Sequence, residues 1–259
     1  MSQTDPNAAL PKTALVTGAG KRIGRLIALA LAKDGWAVAV HYNSSAKDAD
    51  ETVAEIIRLG GRAIALKADL AIEAEVQTLV PQTVAAFGPL GMVINNASLF
   101  ERDEIKGVTR ATWDAHMEAN LRAPFVLIQA LAAQLPKDAE GLAINVLDER
   151  VLSLTPHFVS YTVSKAGLWT LTQTLALALA PRIRVMGIGP GPTLPSPRQS
   201  AEQFARQAGA MPLKRGADPS EVAEAVRFII ASRSMTGSIL MLDGGQHLAW
   251  SWSSAAAQE

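Results

Sequence analysis

The sequence predicts an α/β fold with a doubly wound parallel sheet, and three observations predict it. Strand-like and helix-like segments alternate from residue 13 onward, the pattern of βαβ units that cross over right-handedly into one sheet. The strand-like segments are continuous apolar runs, as strands covered on both faces require. No Pro/Gly-rich linker divides the chain and no short repeat recurs in it. The 259 residues therefore read as one domain over 12–248, between a flexible tail at 1–11 and a second tail at 249–259.

The elements follow in order. TALVT (13–17) is a short β-rich run, and a helical stretch follows over 23–33. WAVAVHY (36–42) is the second strand, with helix over 49–59, and RAIALKA (62–68) the third, with helix over 73–87. LGMVINNA (90–97) holds the fourth, and a long helical region runs over 112–134. GLAINVL (141–147) is the fifth, followed by helix over 158–180; RIRVMGI (182–188) is the sixth. Helix 219–232 and strand SILML (238–242) close a count of seven strands. The stretch 189–216, rich in Gly, Pro and Ser, reads as a long loop, and long loops on compact domains commonly serve as lids.

Composition excludes several classes. Hydrophobic residues make up 49% and charged residues 19%, enough for a sizeable core and unlike a disordered chain. Lys+Arg and Asp+Glu are both 24, so the chain lacks the basic surplus that phosphate backbones demand. Cysteine is absent, which removes disulfides and thiol nucleophiles, and the four His show no metal-ligand spacing. The first residues, MSQTDPNAALPK, do not read as a secretory signal, and no apolar run has membrane-spanning length. The expectation is a cytoplasmic protein with no metal, nucleic-acid or membrane partner.

TALVTGAGKRIG (13–24) reads as strand, glycine-rich turn, then helix. Gly18 allows the tight turn, Gly24 allows close helix packing, and the free N–H groups at the helix start can hold a pyrophosphate. Gly18, Lys21, Arg22, Ile23 and Gly24 are thus candidate dinucleotide ligands. The second strand ends Tyr42-Asn43-Ser44-Ser45, with no acid between Gly35 and Lys47. A fold that selects NAD places a carboxylate near here for the ribose 2′-hydroxyl. Its absence, with Ser44 and Ser45 as donors and Lys21 as a cation, favours NADPH.

Tyr161 and Lys165 form YTVSK, an i, i+4 pair on one helix face. A neighbouring cation is expected to lower the phenol's pKa from about 10, making Tyr161 a proton donor near neutral pH. With these residues goes a set in fixed order: TGAGKRIG, Asp69-Leu70, NNAS (95–98), Asn120, YTVSK and GPGPT (189–193). The set resembles the short-chain dehydrogenase/reductase family over residues 12–248. The resemblance implies a single Rossmann domain with a seven-stranded parallel sheet. It also implies roles: Tyr161 as proton donor, Lys165 on the nicotinamide ribose, and Asn120 positioning a relay water. Asp69-Leu70 would lie by the adenine, while Asn96-Ala97 and Pro190-Gly191 would line the cofactor cleft.

Two departures sharpen the resemblance. The family's usual TGxxxGxG has Arg22 at its middle glycine, and its usual Ser thirteen residues before the Tyr is Asp148. Both departures, with NNASLF (95–100) and HYNSS (41–45), resemble the pteridine reductase branch, which includes dihydromonapterin and dihydrofolate reductases. A pterin offers ring nitrogens and an amino group, so an accepting carboxylate suits it better than a Ser that donates to a carbonyl. Phe100 is expected to stack on the pterin, with Ser98 and Arg22 on its polar edge or the cofactor phosphates. Two rival readings stand beside this one: a general carbonyl/alcohol oxidoreductase of the family, and a non-catalytic NADP-binding sensor. The resemblance further implies a homotetramer built on the 112–134 and 158–180 helices; TLTQTLALALA (170–180) fits a buried helix. His157 reads as a loop residue, the segment 192–213 as the substrate loop, and Trp250 and Trp252 as tail residues facing a neighbouring subunit.

Overall fold

The structure, a computed structural model, describes residues 9–195 and 199–249. Seven strands form one sheet in the order β3-β2-β1-β4-β5-β6-β7, with every neighbouring pair parallel. They are β1 Thr13–Val16, β2 Ala37–Tyr42, β3 Arg62–Lys67, β4 Met92–Asn95, β5 Gly141–Val146, β6 Ile183–Pro190 and β7 Ile239–Leu242. The helices are α1 Arg22–Lys33, α2 Ala46–Arg58, α3 Glu73–Phe87, α4 Arg110–Met117, α5 Ala123–Gln134, α6 Val159–Leu179, α7 Ala201–Ala210 and α8 Pro219–Ala231.

The continuous apolar strands divide their side chains between two cores, because successive residues of a strand point to opposite faces. Ala14 and Val16 join Ile27, Leu31, Val38, Ile94 and Val226 on the α1/α8 side, whereas Leu15 joins Leu79, Val93, Leu127 and Val185 on the α3/α5 side. Each fully buried Leu, Ile or Val contributes about 1.5–3 kcal/mol. Chain order changes direction at β1, between β2 and β4, and the crevice outside the carboxyl ends of the strands there is where such folds bind ligands.

The structure corrects four expectations. The long helix expected over 112–134 is two helices joined by a π-helical turn, Glu118–Arg122, which widens the hydrogen-bond ladder around Asn120. The stretch 189–216 is not all loop. It carries α7, started by a capping box in which Ser200 accepts from Gln203 N and Gln203 returns a bond to Ser200 N. Ala9 forms a backbone bridge with Ala139, so residues 9–11 are not free tail. Finally, 170–180 is not wholly buried: Thr172 and Ala176 face the core, but Leu177 is 84% exposed. Trp250, Trp252 and the first eight residues lie outside the described residues.

Candidate active site

β1 hands the chain to α1 through a turn that leaves no room for side chains. Gly18 has φ +63°, and a Cβ on it would meet Ala97 at 3.1 Å; one on Gly24 would lie 2.3 Å from Gly18 O. Two side chains brace this turn. Asn96 Nδ2 donates to Thr17 O at 2.8 Å, and Thr17 Oγ1 accepts from the N–H groups of Asn96 and Ala97, both at 2.9 Å. His41, buried beneath, accepts from Gly18 N at 3.0 Å through Nδ1 and meets Ala68 O at 3.1 Å through Nε2. That pairing requires the Nε2–H tautomer. Burial lowers the His41 pKa, so the ring is neutral at pH 7.

Above the turn lies a cavity of about 610 Å³. Gly18, Lys21, Arg22, Ile23 and Gly24 form its floor, and Tyr42, Asn43, Ser44 and Ser45 form one end, at the N-terminus of α2. Asp69 and Leu70 lie beside that end, and Asn96 and Ala97 form the opposite wall. Gly20 belongs to the same cradle, where a Cβ would meet Ala49 N at 3.0 Å. A glycine-lined floor at the start of α1, and hydroxyls without a carboxylate among residues 36–46, fit a dinucleotide with a 2′-phosphate.

A second cavity, about 260 Å³, shares Arg22, Ile23, Asn96 and Ser98 with the first. Its walls include Phe100, Asp148, Tyr161, Lys165, Pro190 and Gly191, and on the loop side Leu194, Phe204 and Gln207. The α7 turn that sequence missed is therefore a wall of this cavity. Arg22, at φ 54°, donates from its guanidinium to Pro195 O at 3.1 Å and Leu194 O at 3.4 Å. It ties the glycine turn to the segment that follows β6.

Asp148 and Tyr161 converge. Tyr161 Oη donates to Asp148 Oδ2 at 2.7 Å. The carboxylate is set by its own turn: it caps the short 3-10 helix Glu149–Val151, accepting Arg150 N at 2.9 Å. Arg150 Nη1 lies 3.2 and 3.3 Å from the two carboxylate oxygens. The sequence predicts that Lys165 lowers the phenol's pKa, and here the structure differs. Burial raises the Tyr161 pKa well above 10, the Asp148 charge adds to it, and Arg150 acts in the opposite direction. Lys165 is itself buried, donates to Val146 O at 2.8 Å, and stands 6.0 Å from the phenol ring centre. Burial brings its pKa down to about 8.

Asn120, on the π turn, is fully buried and its side chain is spent. Its Oδ1 accepts from Leu99 N at 2.8 Å and Ser98 Oγ at 3.3 Å; its Nδ2 donates to Leu99 O at 2.9 Å and Ser164 Oγ at 3.1 Å. A relay water would have to use its main chain. Phe100 presents one face to Phe158, stacked at 4.7 Å, and its edge region to Tyr161. His157 sits in the loop before α6 and meets Glu104 at 2.8 Å. Sequence reasoning missed His41, Thr17, Arg150 and the buried Asp103, His116 and Ser160. Only His41 carried a local signal, as the first residue of HYNSS.

The family model described as short chain dehydrogenase matches residues 12–205. The chain is 44% identical to the crystal structure of FolM alternative dihydrofolate reductase 1 from Brucella suis in complex with NADP, with TM-score 0.89 over 95% of this chain and 97% of that one. The Brucella canis protein of the same name, also complexed with NADP, shows 43% identity and TM-score 0.88 over 93% and 97%. Among curated proteins, a 3-oxoacyl-[acyl-carrier-protein] reductase of Staphylococcus epidermidis is 31% identical over 92% of this chain and 99% of its own length. Matched along most of its length by family model, relatives and solved structures alike, this chain belongs to the short-chain dehydrogenase family.

Proposed function

We propose that this chain is an NADPH-dependent reductase of a pteridine-type substrate, a dihydropterin or dihydrofolate. The observation that carries the reading is the Asp148–Tyr161 pair at 2.7 Å, a carboxylate where the carbonyl-reducing pattern has a Ser. The 43–44% identity to two proteins named as dihydrofolate reductases supports it.

The bound dinucleotide supplies the hydride. The N–H groups at the start of α1, in the Lys21–Gly24 part of the glycine turn that Gly18 opens, hold the pyrophosphate, and Ser44, Ser45 and Lys21 receive the 2′-phosphate. Asp69 and Leu70 flank the adenine, Asn96 and Ala97 line the cleft with Pro190 and Gly191, and Lys165 reaches the nicotinamide ribose. Asp148 accepts from the substrate's amino and ring N–H groups. Tyr161, kept protonated by its raised pKa, gives its proton across the shared hydrogen bond to the Asp148 carboxylate, Asp148 hands it on to the ring nitrogen beside the reduced carbon, and solvent reprotonates the phenolate. Phe100, Ser98 and Arg22 shape the substrate wall. The buried Asn120 holds the Ser98–Leu99 backbone in place.

A second reading, reduction of a simple carbonyl, draws on the 3-oxoacyl reductases at 31–34% identity. An NADPH-oxidation assay against dihydropterins, dihydrofolate, quinonoid forms, simple ketones and a 3-oxoacyl thioester decides between them. Turnover of the pteridines is expected; turnover of ketones or thioesters alone overturns the proposal. Absence of any turnover with intact NADPH binding would favour the sensor. A homotetramer is part of the same proposal, supported by Val163 and Leu177 standing 44% and 84% exposed on α6, and light scattering tests it.

A further inference from the structure

We propose that Asp103, Ser160 and His116 form a positioning relay that caps the helix carrying Tyr161 and so holds its phenol against Asp148. The inference rests on the reading above in which Tyr161 delivers the proton.

The helix needs an outside cap. The first N–H groups of any α-helix lack intrahelical partners. At the start of α6 the N-cap position is Phe158, left-handed at φ 56° and ψ 48°, with no side-chain bond to offer. A segment 57 residues away does the work. Asp103 O accepts from Phe158 N at 2.9 Å and Val159 N at 3.4 Å. The Asp103 carboxylate accepts Ser160 N at 3.2 Å on Oδ1 and the Ser160 hydroxyl on Oδ2. A carboxylate at a helix N-terminus is also favoured by the macrodipole.

The donors run in one direction. Glu101 N donates to His116 Nε2 at 3.2 Å, so the ring proton is on Nδ1. Nδ1 faces Ser160 Oγ at 2.7 Å and Thr112 O at 3.0 Å, and the Ser160 hydroxyl is given to Asp103. All three residues are buried, and none lines either cavity described above. Although the residue types are those of a hydrolytic triad, the order is wrong. The histidine offers its N–H to the serine and so cannot take the serine's proton.

The relay joins what the reaction needs joined. Asp103 ends the segment that presents Ser98 and Phe100, His116 stands one turn before Asn120, and Ser160 adjoins Tyr161. The His116 and Tyr161 ring centres are 6.1 Å apart. A shift of about 1 Å in a reacting group can cost about 100-fold in rate, so slack at the start of α6 reads out as lost turnover.

The test uses the full chain loaded with NADPH. Asp103→Asn keeps the shape but sets an amide N–H against Ser160. A fall in kcat of about 100-fold is expected, with NADPH affinity within twofold of wild type, since the relay does not touch the dinucleotide cavity. D103E should restore part of the kcat. In wild type, ¹⁵N-histidine NMR should show a neutral Nδ1–H signal that H116Q removes, distinct from those of His157 and His247, whose Nδ1 atoms face carboxylates, and both S160A and D103N should move that signal. S160A is the companion variant, because it leaves the backbone cap from Asp103 in place should D103N fail to fold. Unchanged kcat in folded D103N and S160A overturns the relay. So does a parallel loss of kcat, NADPH affinity and melting temperature, which marks a fold defect. If wild type reduces only ketones, the pteridine reading fails while the kcat ratios on that ketone still judge the relay. If it reduces nothing, the histidine tautomer judges it.

Discussion

Tyr161 and Asp148, thirteen residues apart, share a hydrogen bond of 2.7 Å at the floor of a cavity that continues into the dinucleotide cleft. The turn that starts at Asp148 fixes the carboxylate of this pair by a main-chain bond. Replacing Asp148 by Ser removes the acceptor for substrate N–H groups and restores the carbonyl-reducing pattern. Pteridine turnover by D148S should fall by about 100- to 10,000-fold, the range ascribed to a lost acid–base group, while reduction of a simple ketone holds or rises. Undiminished pteridine turnover in that variant would sink the assignment.

The raised pKa of Tyr161 has three sources, burial, Asp148 and the Glu149 charge, and mutation can separate the second from the others. Burial comes first, and the charge and hydrogen bond of Asp148 follow. Asp148→Asn removes the second source only, so the phenol should ionise at lower pH than in wild type while staying above the ordinary 10. The chain has only two tyrosines, Tyr42 and Tyr161. Ultraviolet difference titration against Y161F therefore isolates one phenol. Identical titrations for D148N and wild type would show that the carboxylate does not bear on it.

Arg150 works from the other side. Its guanidinium pairs with Asp148 at 3.2 Å and lies 3.7 Å from Glu149, in a spot where all three side chains are mostly buried. Removing one partner of a buried pair costs about 3–5 kcal/mol, because the remaining charge stays buried. Arg150→Met should therefore lower stability by roughly that amount in denaturant titrations. Since the cation favours phenolate, its loss also raises the phenol's pKa, and the alkaline limb of the rate profile should move to higher pH in R150M. A limb that moves down contradicts this sign.

How much of this was legible in the sequence depended on spacing. The glycine turn, the Tyr-x-x-x-Lys pair and the thirteen-residue offset of Asp148 are local patterns, and each falls in the site. Seven apolar strands alternating with helices were equally legible, since two-sided burial writes itself into the five inner strands. What escaped depends on long-range contact. Asp103 caps a helix 57 residues away and carries no motif of its own. Burial sets the phenol's pKa, so the expectation drawn from Lys165 alone had the wrong sign. The α7 helix hid among Gly and Pro, although its Ser200–Gln203 capping box was there to be read.

Lys165 is held in the core at a cost in stability. Burial brings its pKa from 10.5 to about 8, so the folded state resists the charged form. Below pH 8 both states are protonated and the full cost is present. Between pH 8 and 10.5 the folded state has released its proton and the unfolded state has not, so stability from this group rises with pH. The shift corresponds to about 3 kcal/mol. Lys165→Met abolishes the cost but also the bond to Val146 O, worth about 1 kcal/mol. The variant should be more stable than wild type at pH 7 by about 1–2 kcal/mol. That advantage should shrink as pH approaches 10, with turnover lost throughout. Chemical denaturation of the two proteins across that range measures it, and a K165M protein less stable than wild type at pH 7 would mean that the buried lysine carries no such cost.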